Sequence, residues 1–111
     1  MIIPFKIGLG EAITQLQLEE IHRFTRVMKY GTMTVEYYAP KIKDLQTPHL
    51  QDELYIIVSG KSLFFRGDQH ITCMSGDVLF VPAGVAHKFE NFTDDFATWV
   101  IFYGPEGGEN L

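Results

Sequence analysis

The sequence predicts an all-β sandwich or small barrel with one short N-terminal helix. Three observations carry this: apolar stretches of strand length recur every eight to twelve residues, Gly, Asp, Asn and Ser clusters separate them, and 14% of the 111 residues are aromatic. A chain of this length hides roughly two thirds of its extended surface on folding, enough for one core and no second full domain. The expected organisation is a single domain over residues 1–111, with an N-terminal strand and helix over about 1–31, a barrel core over about 32–103 and a loose polar tail over 104–111.

Leu18, Ile21, Phe24, Val27 and Met28 are spaced like the stripe of a helix, and Gly31 follows where helices often stop, so a helix is expected near 18–29. From Thr32 to Ala39 the period changes to two, which is a strand. Pro40–Pro48 reads as a polar link, Glu53–Ser59 as a strand apolar on both faces, and Lys61–Arg66 as its hairpin partner across Gly60. His70–Met74, Val78–Val81, His87–Phe92 and Phe96–Tyr103 continue the series, separated by the turns at Gly67–Gln69 and Ser75–Asp77 and by Asn91–Asp95.

Nine Lys and Arg against fourteen Asp and Glu give a net charge of −5, and no window of sequence is basic enough to follow a phosphate backbone. Nucleic acid is therefore not an expected partner. The single cysteine, Cys73, excludes an intrachain disulfide framework and fits a reducing compartment. Pro4, Lys6, Gly8, Gly10 and Glu11 interrupt the first apolar residues, and no later apolar run approaches membrane-spanning length. The expectation is a cytoplasmic protein with no membrane partner. Two doubly apolar strands, Leu54–Val58 and Trp99–Tyr103, need cover from the other sheet, from the helix or from a second copy, and a homodimer is the economical choice.

His49 and Glu53 are four residues apart and share one face of an extended strand, with Tyr55 and Ile57 continuing that face. A glutamate set among apolar neighbours needs a metal, a lysine, an arginine or a protonated histidine to answer its charge. Downstream, Pro82 and Gly84 mark a tight turn, after which His87 and Phe89 face inward while Lys88 and Glu90 face out.

The spacing Gly76, Pro82, Gly84, His87, Asn91 resembles the second motif of the cupin superfamily, and His49, Glu53 and Gly60 resemble the latter half of its first motif. That resemblance implies a small jelly-roll barrel and assigns His49, Glu53 and His87 as ligands of a divalent transition metal, Fe, Mn, Ni or Zn. Thr47 stands where the usual first motif has a further histidine, so three protein ligands remain; the run Thr47, Pro48, His49 before Gln51, Asp52, Glu53 is similar to a group of small single-domain cupins. Gln51 is expected to hydrogen-bond a bound water or substrate, Asp52 to be solvated, and Tyr55 and Tyr37 to line the pocket as phenols that orient a substrate or pass a proton. Phe80, Phe89, Trp99 and Ile101 are expected to wall the core or cavity. Three functions stay open at this point: a metal-dependent enzyme on a small metabolite (dioxygenase, isomerase or lyase), a non-catalytic binding module for a sugar or other small molecule, and a structural protein with a closed barrel.

Overall fold

The computed structural model describes residues 4–110. One helix, α1 (Leu9–Gln17), precedes eight strands: β1 (Phe24–Tyr30), β2 (Met33–Tyr38), β3 (Asp52–Ser59), β4 (Lys61–Arg66), β5 (Gln69–Met74), β6 (Val78–Val81), β7 (His87–Glu90) and β8 (Ala97–Tyr103). They form an antiparallel five-stranded sheet in the order β1-β2-β8-β3-β6 and a three-stranded sheet in the order β5-β4-β7. This is the small jelly-roll barrel that the sequence predicts. Among the described residues no helix is long and apolar enough to cross a membrane.

The helix lies earlier than expected. Residues 24–30 form a strand, because Thr25 and Val27 alternate inward beneath α1 and this β-branched, aromatic segment pairs along β2. Of the residues spaced like a helix, Phe24, Val27 and Met28 lie on this strand, where the register shift between Arg26 and Met28 makes a bulge, while Leu18 and Ile21 stand exposed in the connection after α1. The true helix starts after Gly8, whose backbone N–H donates to the Glu11 side chain at 3.1 Å. Of the expected N-terminal strand, residues 4–8 belong to no strand, and residues 1–3 lie outside the described residues.

Two apolar clusters divide the molecule. Between the sheets lie Tyr55, Ile57, Phe64, Leu79, Phe89 and Val100 with their neighbours. On the outer face of the larger sheet, Ala12 and Leu16 of α1 pack on Val27, Tyr37 and Ala97, with Trp99 and Val58 at the margin. The helix thus covers β1 and β2 and reaches the second apolar face only at Ala97, Trp99 and Val58, leaving Leu54, Ile56 and Ile101 half-buried. Gly60 turns β3 into β4 at φ +78°, and a Cβ there would stand 2.8 Å from the Phe96 Cα, so the turn admits only glycine.

The tail is tied down rather than loose. Gly107 N–H donates to the Leu50 carbonyl at 2.7 Å, and Glu109 N–H donates to Asp52 at 3.0 Å. Asp52 is consequently buried instead of solvated, with the Ala83 N–H as a second donor at 2.9 Å. Those two backbone N–H groups hold its carboxyl below the usual carboxylate range.

Candidate metal centre

Three segments converge between the sheets. His49 lies in the link three residues before β3, Glu53 is the second residue of β3, and His87 opens β7 on the opposing sheet. Strand parity aims Glu53 inward with Tyr55 and Ile57, as their burial shows. The turn before β7 fastens the two motifs together, because Gly84 N–H donates to the His49 carbonyl at 2.7 Å. One ligand atom from each of His49, Glu53 and His87 lies within 4.8 Å of the others.

The protonation pattern defines what the cluster can hold. His87 Nδ1–H donates to the Val85 carbonyl at 2.9 Å, which leaves a lone pair on Nε2. That lone pair faces Glu53 Oε1 at 3.0 Å, two acceptors that only a proton or a cation between them can satisfy. His49 Nε2 and Glu53 Oε2 are also buried without a hydrogen-bond partner. Burial pulls the His87 pKa down, but the bonds to Glu53 and the Val85 carbonyl outweigh it and the net shift is upward. Burial lowers the pKa of His49, favouring the neutral imidazole that ligates metals. Orphaned imidazole nitrogens beside an orphaned carboxylate oxygen fit a divalent transition ion, and a set of two His and one Glu leaves coordination positions open.

A cavity of about 990 Å³ opens in front of His49, walled by β1, β2, the link over 41–51 and the ends of Val100 and Phe102 on β8. His49 reaches its wall and packs on Phe102 with ring centroids 4.6 Å apart. Glu53 and His87 stand behind, with side chains 1% and 0% exposed.

The other expected site residues separate into three situations. Tyr55 is fully buried beside the cluster, its ring 6.0 Å from that of His87, and its hydroxyl donates to Gln46 Oε1 at 2.8 Å. Burial, reinforced by the Glu53 charge, pushes its phenol well above the ordinary range. Gln51 sits at the rim, its amide donating to the carbonyls of Thr32 at 2.7 Å and Gly104 at 3.0 Å. Tyr37 lies on the sheet face turned away from the cluster, under α1 and 5.4 Å from the Trp99 ring. Its expected place in the pocket fails because β2 pairs with β8 in the register Tyr37 to Trp99, which puts Glu36 and Tyr38 inward instead.

The same register places Trp99 and Ile101 outside the inner core, and Phe80 is 40% exposed on β6 rather than walling the cavity. Phe89 is 1% exposed and Cys73 is 3%, both in the inner core as expected, and burial pushes the Cys73 thiol up to about 11.

Asp44 and Gln46 escaped the sequence reading. Asp44 accepts from the Tyr38 hydroxyl, the backbone and amide side chain of Gln46, and the Phe89 N–H, so it pins the link across the barrel mouth. The available signal was local: an Asp whose carboxylate caps the N–H two residues on is a common turn device.

The family model described as "Cupin domain" matches residues 33–103, and the chain belongs to the cupin superfamily. "Uncharacterized protein SCO3923" of Streptomyces coelicolor is 38% identical over 85 residues, 75% of this chain and 81% of that protein. Acireductone dioxygenase 1 of Pectobacterium atrosepticum is 35% identical over 101 residues, 86% of this chain, but this chain spans 58% of that enzyme's length. Among solved structures, protein NMB1881 from Neisseria meningitidis superposes with a TM-score of 0.69 at 16% identity, covering 89% of this chain and 99% of that one, a likeness of fold alone.

Proposed function

We infer that this cupin is a metal-dependent enzyme that acts on a small metabolite, with His49, Glu53 and His87 holding one divalent transition ion, Fe, Mn, Ni or Zn. The observation that carries the reading is the convergence of three buried, unpartnered donor atoms at the end of a cavity large enough for a metabolite. Among dioxygenase, isomerase and lyase chemistry, dioxygenase is favoured by the two-histidine, one-carboxylate set and by the likeness to acireductone dioxygenases. When bound, such an ion supplies Lewis acidity and open positions for substrate oxygens.

The chain's own residues orient and seal. Val85 fixes the His87 tautomer, so Nε2 is the ligating atom. Tyr55 and Gln46 hold the link against the cluster, and Gln51 ties the rim to Thr32 and Gly104, so Gln51 acts by positioning rather than by proton transfer. A homodimer is part of this proposal, supported by the outward-facing Ile71, Val78 and Phe80 on the edge strands β5 and β6. Cytoplasmic residence is supported by the lone buried cysteine.

The test is metal analysis of protein reloaded separately with Fe(II), Mn(II), Ni(II) and Zn(II), followed by dioxygen uptake over a panel of small organic acids, with acireductone alongside as the relatives' substrate. One ion per chain and uptake that disappears in His87→Ala are expected. Failure to bind any of the four ions overturns the reading, and a bound ion without uptake on any compound of the panel moves the reaction to the isomerase or lyase class.

A further inference from the structure

The cavity in front of His49 has a charge opposite to that of the chain around it. Five of the nine Lys and Arg line it, Arg23, Arg26, Lys29, Lys41 and Lys43, against two of the fourteen Asp and Glu, Glu36 and Glu106. On a chain of net charge −5 this is a strong local reversal. Among the described residues none of the five cations has a carboxylate at ion-pair distance; the two pairs present are His87–Glu53 and Lys88–Glu90. The nearby Asp44 is engaged by its four hydrogen-bond donors.

Strand register connects these cations to the metal cluster. Lys29 pairs with Thr34, Thr34 with Phe102 and Phe102 with Glu53, so Lys29 shares one cross-strand row with the metal-binding glutamate. Arg26, Glu36, Val100 and Tyr55 form the adjacent row. Three strand spacings separate the backbones at the two ends of each row by about 14 Å, a gap that a long basic side chain and a ligand of a few carbons fill together.

Resting on the metal-site reading above, we propose that the metabolite is a small organic carboxylate. One end approaches the His49 side of the cavity, and the far carboxylate is held by Lys29 and Arg26, with Lys41 and Lys43 adding attraction from the link. Phosphate is the less fitting anion: the glycine-rich turn over 104–108 reaches the wall, but its glycine N–H groups already donate to Thr32 Oγ1, the Leu50 carbonyl and the Pro105 carbonyl, and α1 lies on the other face of the sheet, so no helix N-terminus points into the cavity.

The test uses zinc-loaded and metal-free protein and calorimetric titration with glutarate and with glutaramate, its isostere in which one carboxylate has become an amide. Both keep a carboxylate for the metal end and differ in the far charge. Succinate and adipate set the length, and glycerol 3-phosphate is run alongside. Glutarate, or its homologue of best length, is expected to bind about tenfold or more tightly than the amide. That preference should collapse in Lys29→Gln/Arg26→Gln, weaken in Lys41→Gln/Lys43→Gln and fall with added salt, while zinc content stays at the unsubstituted level.

Equal binding of acid and amide overturns the proposal, as does a preference that survives the Lys29/Arg26 substitutions. Binding of glycerol 3-phosphate without any dicarboxylate overturns it in favour of a phosphate. The metal reading fails separately, on zinc content alone; the acid-to-amide ratio in metal-free protein then still decides the anion proposal.

Discussion

Two halves of one sheet surface have opposite characters. Over β3, β8 and β6 the inner face is covered by the three-stranded sheet, and its side chains are apolar: Ile57, Leu79, Val81 and Val100 against Phe64 and Phe89. Over β1 and β2 the same concave face presents Arg26, Lys29, Thr34 and Glu36 to an open cavity. The sheets differ in width by two strands, and that inequality produces the difference. Inward residues must be apolar where a second layer removes them from water, and are free to be charged where none does. The metal cluster stands at the boundary, with Glu53 and His87 inside the dry half and His49 at the cavity wall.

The largest expected effect comes from opening the dry half. Phe89→Ala removes a fully buried ring packed on Phe64, Tyr55 and Phe96 and should cost about 3–5 kcal/mol in denaturant unfolding. A cost within the range of Lys29→Gln on the open half would erase the distinction. Next is the boundary itself: Glu53→Gln keeps the shape but loses the charge that answers a cation. Metal affinity should drop by more than about a hundredfold, beyond what removal of an outer-shell partner causes, as read by competition with a chromogenic chelator. Retained affinity would place the ion elsewhere.

Tyr55→Phe should cost about 1 kcal/mol by removing the bond to Gln46, with metal content unchanged. A smaller effect still is expected at Asp52. Its depressed carboxyl contributes stability that is present above the unfolded value near 3.8 and is lost as pH falls through the lower folded value. Asp52→Asn should flatten that acid limb in thermal melts taken between pH 5 and pH 2, and an unchanged slope would assign the limb to other carboxylates. The null member of the series is Tyr37→Phe, on the opposite face under α1, which should leave both metal content and turnover as they were. Any loss of turnover there would return Tyr37 to the site.

The strands of the barrel and the inward turn of Glu53 and His87 were legible because period-two alternation and turn glycines are local signals. Residues 18–28 misled because a bulge sets Phe24, Val27 and Met28 at helix-like intervals on a strand and the exposed Leu18 and Ile21 of the preceding connection extend that spacing, while the short α1 carries only two fully covered apolar residues, Ala12 and Leu16. Tyr37 misled for a different reason: which parity of β2 faces inward depends on its pairing with β8, more than sixty positions away. The basic cavity wall was illegible from windows of sequence, since Arg23, Arg26 and Lys29 meet Lys41 and Lys43 only after β1, β2 and the link have folded together.

The narrow second sheet has a consequence over evolutionary time. Except for Tyr38, which joins the inner core, the inward positions of β1 and β2 lie outside the packed interior between the sheets, so replacing them changes what the cavity admits at little expense to folding. A lineage carrying this barrel can drift from one metabolite to another through a handful of substitutions on two strands, while the metal-holding half stays under the constraint of its own packing.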